Sequence, residues 1–347
     1  MSNGHERKGE ELLVRIGSHT SRQKPKKRAR LIYNPTSGRE EMKRRLSDIL
    51  VRLEQGGLET SCHATIGAGD ATLAAAEAVD RGFDLIIAAG GDGTLNEVIT
   101  GMAVKEKRPP LGILPLGTTN DFARAMGIPR QWDQACDIIV QQQTRPVDIG
   151  RMNDRFFINI AGGGSMTELT YEVPSKLKTM LGQLAYYMKG VEKLPRFRPI
   201  HLTIRTDERE MEGEFMLFLI ANSNSIGGFE KLAPQARMDD GLFDVLLLKR
   251  CNLADFVRVT TAALRGEHTA DSHVVYFQTR HIEVMSDDYT QLNLDGEYGG
   301  TLPCRCTILP SHLQVIHDAE GIYCGKLKNG AKPIDEETEG STNTIEE

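Results

Sequence analysis

Two carboxylates stand in glycine-rich turns in the first half of this 347-residue chain. Asp92 lies in AAGGDGTLNE (88–97), directly after the apolar run DLII, and Asp121 ends GTTND (117–121), after the apolar run LGILPL. A third such turn, NPTSG (34–38), ends the stretch ARLIYN. Glycine permits positive φ and close backbone approach, so these turns can present N–H groups and helix N-termini to phosphate oxygens. One glycine after a strand is usually only a turn, but three at one sheet edge predict a site for a phosphate-rich ligand.

The acidic residues in two of these turns indicate a cation. A carboxylate beside bound phosphates needs a divalent ion between the negative groups, so Asp92 and Asp121 are predicted to organise Mg²⁺ and water. Either aspartate alone could instead be a helix N-cap. The chain has no Walker A sequence, and GAGDAT (67–72) lacks the last glycine of a dinucleotide fingerprint.

A further acidic pair lies near the end of the chain, in QLNLDGEYGG (291–300). The pattern predicts a strand that ends in a tight turn, from which both acids project. A positioned carboxylate can accept the proton of a hydroxyl that attacks phosphorus, which makes Glu297 a candidate general base. The alternative is an ordinary Asp-Gly hairpin with a solvated glutamate.

The elements that position these turns change in kind along the chain. Up to about Val147, strands alternate with helices, which predicts a parallel sheet covered by helices on both faces. After it, strand patterns dominate and only two helical stretches interrupt them, near 175–193 and 253–265. The sequence therefore predicts an α/β domain with a parallel sheet, plus a mostly antiparallel β-sandwich domain. Its candidate strands are 156–162, 200–206, 212–223, 242–249, 274–279, 281–286 and 291–297.

Composition excludes several classes of protein. A net charge of −6 argues against a general nucleic-acid binder, and the six cysteines have neither zinc-like nor disulfide-framework spacing. No stretch reaches the roughly 18 apolar residues that a spanning helix requires, and the N-terminus has no secretory apolar region. We therefore expect a soluble, cytoplasmic protein whose membrane contact is peripheral, at the inner membrane face.

Three segments each allow two interpretations. The basic stretch RQKPKKRAR (22–30) is either a solvated tail or a segment attracted to anionic phospholipid. The predicted helix in 174–195 either covers the second domain's sheet or lies as a basic helix at a membrane interface. The apolar run FMLFLIA (215–221) either belongs to the core or forms a wall for acyl chains.

Four motifs together give the chain a family resemblance. NPTSG, GGDGTLNE, LPLGTTNDFARAMG and LNLDGE occur in the order found in the soluble bacterial diacylglycerol kinases, which the chain resembles from about Ala29 to Val315. The resemblance implies ATP- and Mg²⁺-dependent phosphorylation of diacylglycerol to phosphatidic acid at the membrane surface, in phospholipid and lipoteichoic acid metabolism, with a homodimer possible. The rivals are a related kinase for sphingoid lipids or NAD, and a non-catalytic nucleotide- or lipid-binding protein. An intact GGDGT together with an intact DGE argues against the non-catalytic rival.

The resemblance also implies a domain layout. Residues 29–148, with returning C-terminal strands in 303–325, would form the nucleotide-binding kinase domain, and 149–302 the β-sandwich lipid-substrate domain. Residues 1–28 and 326–347 would be a disordered basic extension and a disordered acidic tail. The active site would lie in the cleft between the two domains.

Site residues follow from the same resemblance. Glu297 would be the catalytic base, beside Asp92 and Asp121. A structural Mg²⁺ site would lie in RMDDGLF (237–243), formed by the Asp240 carboxylate and the backbone carbonyls of Arg237 and Leu242. Asp148, Arg39 and Lys189 match supporting positions. The implied ATP contacts are Asn34, Pro35, Thr36, Ser37, Gly38, Thr65, Gly91, Asp92, Gly93, Thr94, Leu95, Asn96, Glu97 and Thr118.

Overall fold

The N-terminal half is a parallel sheet covered by helices. The structure, a computed structural model, describes residues 26–164, 198–224, 231–319 and 321. The sheet has four parallel strands: β1 (Lys27–Tyr33), β2 (Leu58–Ala64), β3 (Leu85–Gly90) and β4 (Leu111–Pro115). They lie in the order β2–β1–β3–β4. Because every residue of β3 and β4 is buried, both faces of the sheet are covered, as apolar parallel strands require.

Five helices connect and cover these strands. They are α1 (Ser37–Gln55), α2 (Asp70–Asp80), α3 (Asp92–Ala103), α4 (Asp121–Ala125) and α5 (Trp132–Gln141). Three of them, α1, α3 and α4, begin within a few residues of a strand's carboxyl end. They start at the three predicted glycine-rich turns, which are called the glycine corners below. The fifth, α5, was not predicted; its apolar residues Ile138 and Ile139 are 1% exposed.

The C-terminal half is antiparallel. Its strands in the described ranges are β5 (Thr144–Met152), β6 (Arg155–Phe157), β7 (Ile160–Gly164), β8 (Ile200–Thr206), β9 (Glu210–Ala221), β10 (Phe243–Lys249), β11 (Val274–Thr279), β12 (His281–Met285), β13 (Gln291–Leu294), β14 (Glu297–Thr301) and β15 (Cys304–Ile316). They continue one mixed sheet, in the order β14–β13–β7–β9–β8–β12–β15–β4, and β10 pairs with β9 and β11. A helix, α6 (Leu253–Arg265), agrees with the predicted one.

The long strand β15 belongs to both halves. Its first residues pair antiparallel with β12, and Val315 pairs in parallel with Leu111 of β4. Residues from Cys306 to Ile316 pair antiparallel with β5, with an irregularity between Leu309 and Leu313. Leu313, Val315 and Ile316 lie in the core of the α/β half, whereas Cys304, Cys306 and Ile308 lie in the core of the sandwich half. One strand therefore completes two cores.

The predicted fold class is confirmed, with local differences. The candidate strand 156–162 is divided into β6 and β7, because the chain bends at Ile158 and Asn159, whose N–H groups bind a side chain (below). The candidate strand 291–297 ends at Leu294 and turns into β14. Strand β5 was not predicted, β15 lies within the segment 303–325 for which returning strands were expected, and the predicted helix near 175–193 lies outside the described residues.

The apolar run 215–221 is core. Phe215, Phe218 and Ile220 pack in the main sandwich core, and Met216 packs on the opposite face of β9 in a smaller cluster with Phe256 of α6. The structure therefore supports the interpretation of these side chains as core, while Leu217 and Leu219 are only partly buried.

No helix in the described ranges is long and apolar enough to cross a membrane. The five cysteines described, Cys62, Cys136, Cys251, Cys304 and Cys306, are free thiols.

Candidate active site

The three glycine corners, numbered in chain order, are NPTSG (34–38), GGDGT (90–94) and GTTND (117–121). The second and third corners touch through their backbones. Gly91, in extended conformation (φ −92°, ψ −173°), precedes α3, and Gly117 follows β4. A Cβ atom built on Gly117 would lie 2.4 Å from the Gly91 Cα, closer than real Cβ contacts allow. The absence of side chains at both positions thus lets the two turns form one continuous surface of backbone.

Asn120 fixes the third corner. It adopts the left-handed conformation (φ 51°), and its side-chain amide both accepts a hydrogen bond from the Gly117 N–H (2.9 Å) and donates one to the Gly117 carbonyl (2.8 Å). The reciprocal pair closes the turn, so that α4 starts at Asp121 with its first N–H groups directed toward Asp92. The Phe122 N–H lies 3.5 Å from Asp92 Oδ1.

Asp92, which is partly buried, and Asp121, which is buried, form an acidic pair. Burial raises the pKa of Asp92, the charge of Asp121 raises it further, and backbone N–H groups at residues 120–122 oppose the shift. Asp121 is 9% exposed and also contacts Arg124, one turn along α4. A carboxylate whose ionisation is opposed by a neighbouring carboxylate is suited to hold a cation, because a bound divalent ion compensates both charges.

The first corner packs against the same edge. The Asn34 N–H donates to Ala89 at the end of β3, and its Oδ1 accepts from the Thr36 N–H (2.9 Å) and Oγ1 (2.8 Å). Gly38 has φ 60°, and a Cβ there would lie 2.5 Å from the Leu116 carbonyl oxygen. Thr65, after β2, donates its N–H to Tyr33. The three predicted phosphate corners are therefore neighbours at the carboxyl edge of the sheet.

A hairpin from the sandwich half reaches over the second corner. Asp295 (φ 49°) and Gly296 (φ 95°) both have positive φ, which makes the tight turn between β13 and β14. Glu297, the first residue of β14, is exposed, and its Oε1 lies 3.5 Å from the position of a Cβ built on Gly93. Its carboxylate therefore lies against the first turn of α3.

Asp295 does not project from the edge, which corrects the expectation for the acidic pair. Its carboxylate accepts hydrogen bonds from the backbone N–H groups of Ile158 (2.7 Å), Asn159 (2.8 Å) and Ile160 (2.9 Å). It also accepts one from Asn96 Nδ2 (2.7 Å) in α3. The side chain turns inward because four donors surround it there, and it links the hairpin to the helix that follows GGDGT.

Two residues of GGDGTLNE have structural partners of their own. The Glu97 carboxylate accepts from the Gly69 N–H (2.9 Å) and the Ala71 N–H (3.1 Å), which fixes the turn before α2. Leu95 is 5% exposed, and its N–H donates to the Gly91 carbonyl. The side chains of Glu97 and Leu95 are thus directed into the protein, whereas Asn96 reaches the hairpin.

Arg130 is a cationic residue at the phosphate corners that sequence reasoning missed. Its Nη2 donates to the carbonyls of Gly117 (3.2 Å) and Thr118 (2.9 Å). It lies nine residues after GTTND in a loop, and no local pattern distinguished it from other exposed arginines. The close contact of Arg124 with Asp121 was also unexpected, although their i, i+3 spacing on a predicted helix would have indicated it.

The predicted structural metal residues lie in a separate turn. Buried Asp148 accepts from the N–H groups of Gly241 (2.7 Å) and Ser311 (2.6 Å), and so holds the turn 237–243 against β15. Asp240 Oδ1 accepts from the Leu242 N–H (3.0 Å). Burial raises the pKa of Asp240, and the charge of Asp148 adds to the effect. Hydrogen bonds thus bring Asp148, Asp240 and Leu242 together, with Arg237 at the start of the turn.

The remaining predicted positions are only partly described. The Arg39 side chain and Lys189 lie outside the described residues. In the part of the chain that the structure describes, no three His, Cys, Asp or Glu side chains are grouped to hold a metal ion. A pair of carboxylates is nonetheless a typical protein contribution to a Mg²⁺ site, since substrate phosphates and water supply the other ligands.

The edge of the sheet thus carries backbone donors, partly buried Asp92 and buried Asp121, with the Glu297 carboxylate beside them. This is the arrangement of a phosphotransferase. Comparison with known proteins narrows this class. Residues 28–152 match the diacylglycerol kinase catalytic domain, and residues 168–317 match the YegS C-terminal NAD kinase beta sandwich-like domain.

Individual relatives agree with both domains. A diacylglycerol kinase of Bacillus subtilis is 58% identical over 295 residues, covering 85% of this chain and 97% of that protein. A diacylglycerol kinase of Staphylococcus saprophyticus is 50% identical over 290 residues, covering 84% and 95%. The crystal structure of a diacylglycerol kinase from Bacillus anthracis superimposes with a TM-score of 0.72 at 27% identity, over 86% of this chain and all of that one. The chain belongs to the diacylglycerol kinase family.

Proposed function

We propose that this chain transfers the γ-phosphate of ATP to the free hydroxyl of diacylglycerol, giving phosphatidic acid. The observation that carries the proposal is the position of Glu297, whose carboxylate from one half of the molecule lies over the phosphate corner of the other half, against Gly93. A base and a phosphate site in contact are what phosphoryl transfer to an alcohol requires. The relatives named diacylglycerol kinase support the choice of acceptor.

The ATP phosphates would lie on the backbone of the three corners. The N-terminus of α3, after Gly91, and that of α4, at Asp121, direct their N–H groups and positive dipole ends toward this edge. Arg130, beside Thr118, adds a cation at the same place. The ATP contacts at 34–38, 65, 91–97 and 118 remain predictions, with Glu97 and Leu95 the weakest because their side chains have other partners.

Glu297 would accept the proton of the attacking hydroxyl. As the hydroxyl oxygen forms its bond to the γ-phosphorus, its O–H bond breaks and the proton passes to the Glu297 carboxylate, while the bond from phosphorus to the ADP oxygen breaks. Glu297 is exposed to the cleft and thus accessible to a substrate, whereas enclosed Asp295 holds the turn. This division of roles assigns Glu297 to proton transfer and Asp295 to positioning.

Asp92 and Asp121 would hold Mg²⁺, directly or through water. The donor chemistry fits, because the pair offers hard oxygen ligands. The charge of Asp121 opposes the ionisation of Asp92, and a bound divalent cation would remove that cost. When bound, Mg²⁺ neutralises the charge that develops on the transferring phosphoryl group. Asp240, with the carbonyls of Arg237 and Leu242, would form a second, structural Mg²⁺ site in the turn that Asp148 holds.

We also propose action at the surface of a membrane, because diacylglycerol resides in the bilayer. The last part of the basic stretch 22–30 is occupied within the protein: Lys26 pairs with Glu54, and the Arg28 guanidinium lies 4.5 Å from the centre of the Phe83 ring. Arg30 also faces this ring. Attraction to anionic phospholipid by this stretch would therefore depend on its residues before Lys26.

The test is a radiolabelled-ATP assay on three acceptors. We expect diacylglycerol to be phosphorylated at least about tenfold faster in kcat/KM than sphingosine or NAD, a ratio that needs only about 1.4 kcal/mol of differential transition-state binding. Comparable rates on all three, or a preference for NAD, would overturn the acceptor while leaving the kinase assignment intact. Absence of transfer to any acceptor would favour the non-catalytic rival.

A further inference from the structure

A polar pocket lies beside the active site and has no role in the proposed reaction. Its volume is about 270 Å³, and it is bounded by Ala125 at the end of α4, Arg145 in β5, Asn224 and the turn that includes Arg237 and Asp239. Because one water occupies about 30 Å³ of liquid, the pocket has room for a tetrahedral anion with several waters. Ala125 follows Asp121 by four residues in α4, so the pocket lies about one helical turn from the catalytic acidic pair.

Arg145 faces this pocket without a counter-charge. It is half-buried, its Nη2 lies 2.8 Å from Met126 Sδ, a weak acceptor, and its buried Nε has no hydrogen-bond partner. The described part of the chain supplies no ion-pair partner for it. Its positive charge also contributes, after burial, to the lowered pKa of His317. A buried donor on a cation costs free energy unless an acceptor reaches it, so an anion bound here would stabilise Arg145.

Arg237 adds a second guanidinium to the same pocket. Its side chain is 69% exposed, and its Nε lies 3.2 Å from Asp239 Oδ1. The two arginines and Asp239 leave the lining with one net positive charge, and the Asn224 amide adds a neutral polar group. Two guanidinium forks at one cavity are the recurrent protein arrangement for binding phosphate oxygens.

We propose that this pocket binds a phosphate-class anion, held by Arg145 and Arg237. The anion could be inorganic phosphate or the headgroup of an anionic phospholipid, since both present the same oxygens. The site is separate from the phosphate corners, which use backbone N–H groups and Asp92 rather than this arginine pair. The proposal stands whichever acceptor the kinase uses.

The experiment is calorimetric titration of inorganic phosphate into the full chain with a saturating non-hydrolysable ATP analogue, so that the phosphate corners are occupied. We expect saturable binding of one phosphate, weakened about tenfold or more by Arg145→Gln and by Arg237→Gln, the loss of a charge-assisted hydrogen bond. The matched control is Arg151→Gln, which removes the same charge from an exposed position of β5 and should bind within about twofold of wild type. Circular dichroism melting identifies any variant that fails to fold, and the exposed Arg237 keeps the test decisive if the Arg145 variant does.

Vesicle co-sedimentation separates the two sources of the anion. Neutral vesicles with added phosphatidic acid should bind wild type more tightly than Arg237→Gln if a lipid headgroup is the occupant. Equal vesicle binding, with the calorimetric difference retained, assigns the site to free phosphate. No saturable phosphate binding, or the same loss in Arg151→Gln as in the two pocket variants, would overturn the proposal.

Discussion

Asp295 and Glu297 stand two residues apart in one turn and have opposite surroundings. The first is enclosed by three backbone N–H groups and the Asn96 amide, and the second is exposed beside Gly93. Sequence alone treated them as an equivalent acidic pair, because the donors that capture Asp295 belong to residues more than 130 positions away.

Replacement of Glu297 by glutamine should remove the base while keeping the shape of the side chain. We expect kcat to fall roughly 100-fold or more with ATP affinity largely kept, since the amide cannot accept the proton. Steady-state kinetics and nucleotide titration would measure the two effects. Near-normal turnover would refute the general-base role.

Asp295 should make stability depend on pH. Burial raises its pKa from 3.8 to about 6, against the effect of its hydrogen bonds, so between these values the folded state holds more protons than the unfolded state. The contribution of Asp295 to the free energy of unfolding is therefore fully present below about pH 4 and is lost as pH rises through 6. The total change is about 3 kcal/mol. Urea unfolding of wild type and Asp295→Asn at pH 4 to 7 should show the difference between their free energies of unfolding changing over this range. A constant difference would show that the enclosed carboxylate has an ordinary pKa.

Asp92→Ala should abolish activity without unfolding the protein. The partly buried carboxylate with a raised pKa contributes little to stability, so its removal should leave the melting temperature close to that of wild type. An assay over a range of Mg²⁺ concentrations, together with a melting curve, would test this. A variant that melts far below wild type would mean that Asp92 is mainly structural, through its contact with the backbone at the start of α4.

Among the elements, the corners depend on backbone contact between Gly91 and Gly117. Gly117→Ala would place a methyl group 2.4 Å from the Gly91 Cα, so we expect destabilisation of about 1 to 3 kcal/mol and loss of nucleotide binding. The control is Gly67→Ala, in the turn before α2, where a Cβ would meet no atom within 4 Å. That variant should stay within about 0.5 kcal/mol of wild type in thermal unfolding. Equal effects of the two substitutions would mean that the turns can separate without cost.

The corners could be predicted because each one is local. An apolar strand, a glycine turn and a helix start lie within a few residues, and parallel strands bring their carboxyl ends to one edge whatever their order. The pairing of β5 with β15 could not be predicted in this way, because Val147 and Leu313 are joined only by long-range packing. The division of residues 156–162 into β6 and β7 likewise depends on Asp295, which no pattern near that segment indicates.

At the scale of the whole molecule, activity should depend on the membrane surface. We expect anionic vesicles to stimulate phosphorylation of diacylglycerol, and added salt to weaken the effect as charges are screened. Removal of residues 1–25 leaves β1 intact from Lys27, so it tests the part of the basic stretch before Lys26, with Arg22 and Lys24, without touching the sheet. If the shortened chain responds to anionic lipid and salt as the full chain does, the residues before Lys26 have no part in docking.

The position of β15 has a consequence for how the protein is made. Residues 304–316 supply side chains to both cores, and among the described strands they are the last to be synthesised. Until then the nascent chain exposes the β4 edge and the apolar faces that β15 will cover, a state open to wrong pairing with other chains. Translation must therefore pass residue 316 before either half can close, and the time between synthesis of β4 and of β15 is when this protein most needs a chaperone.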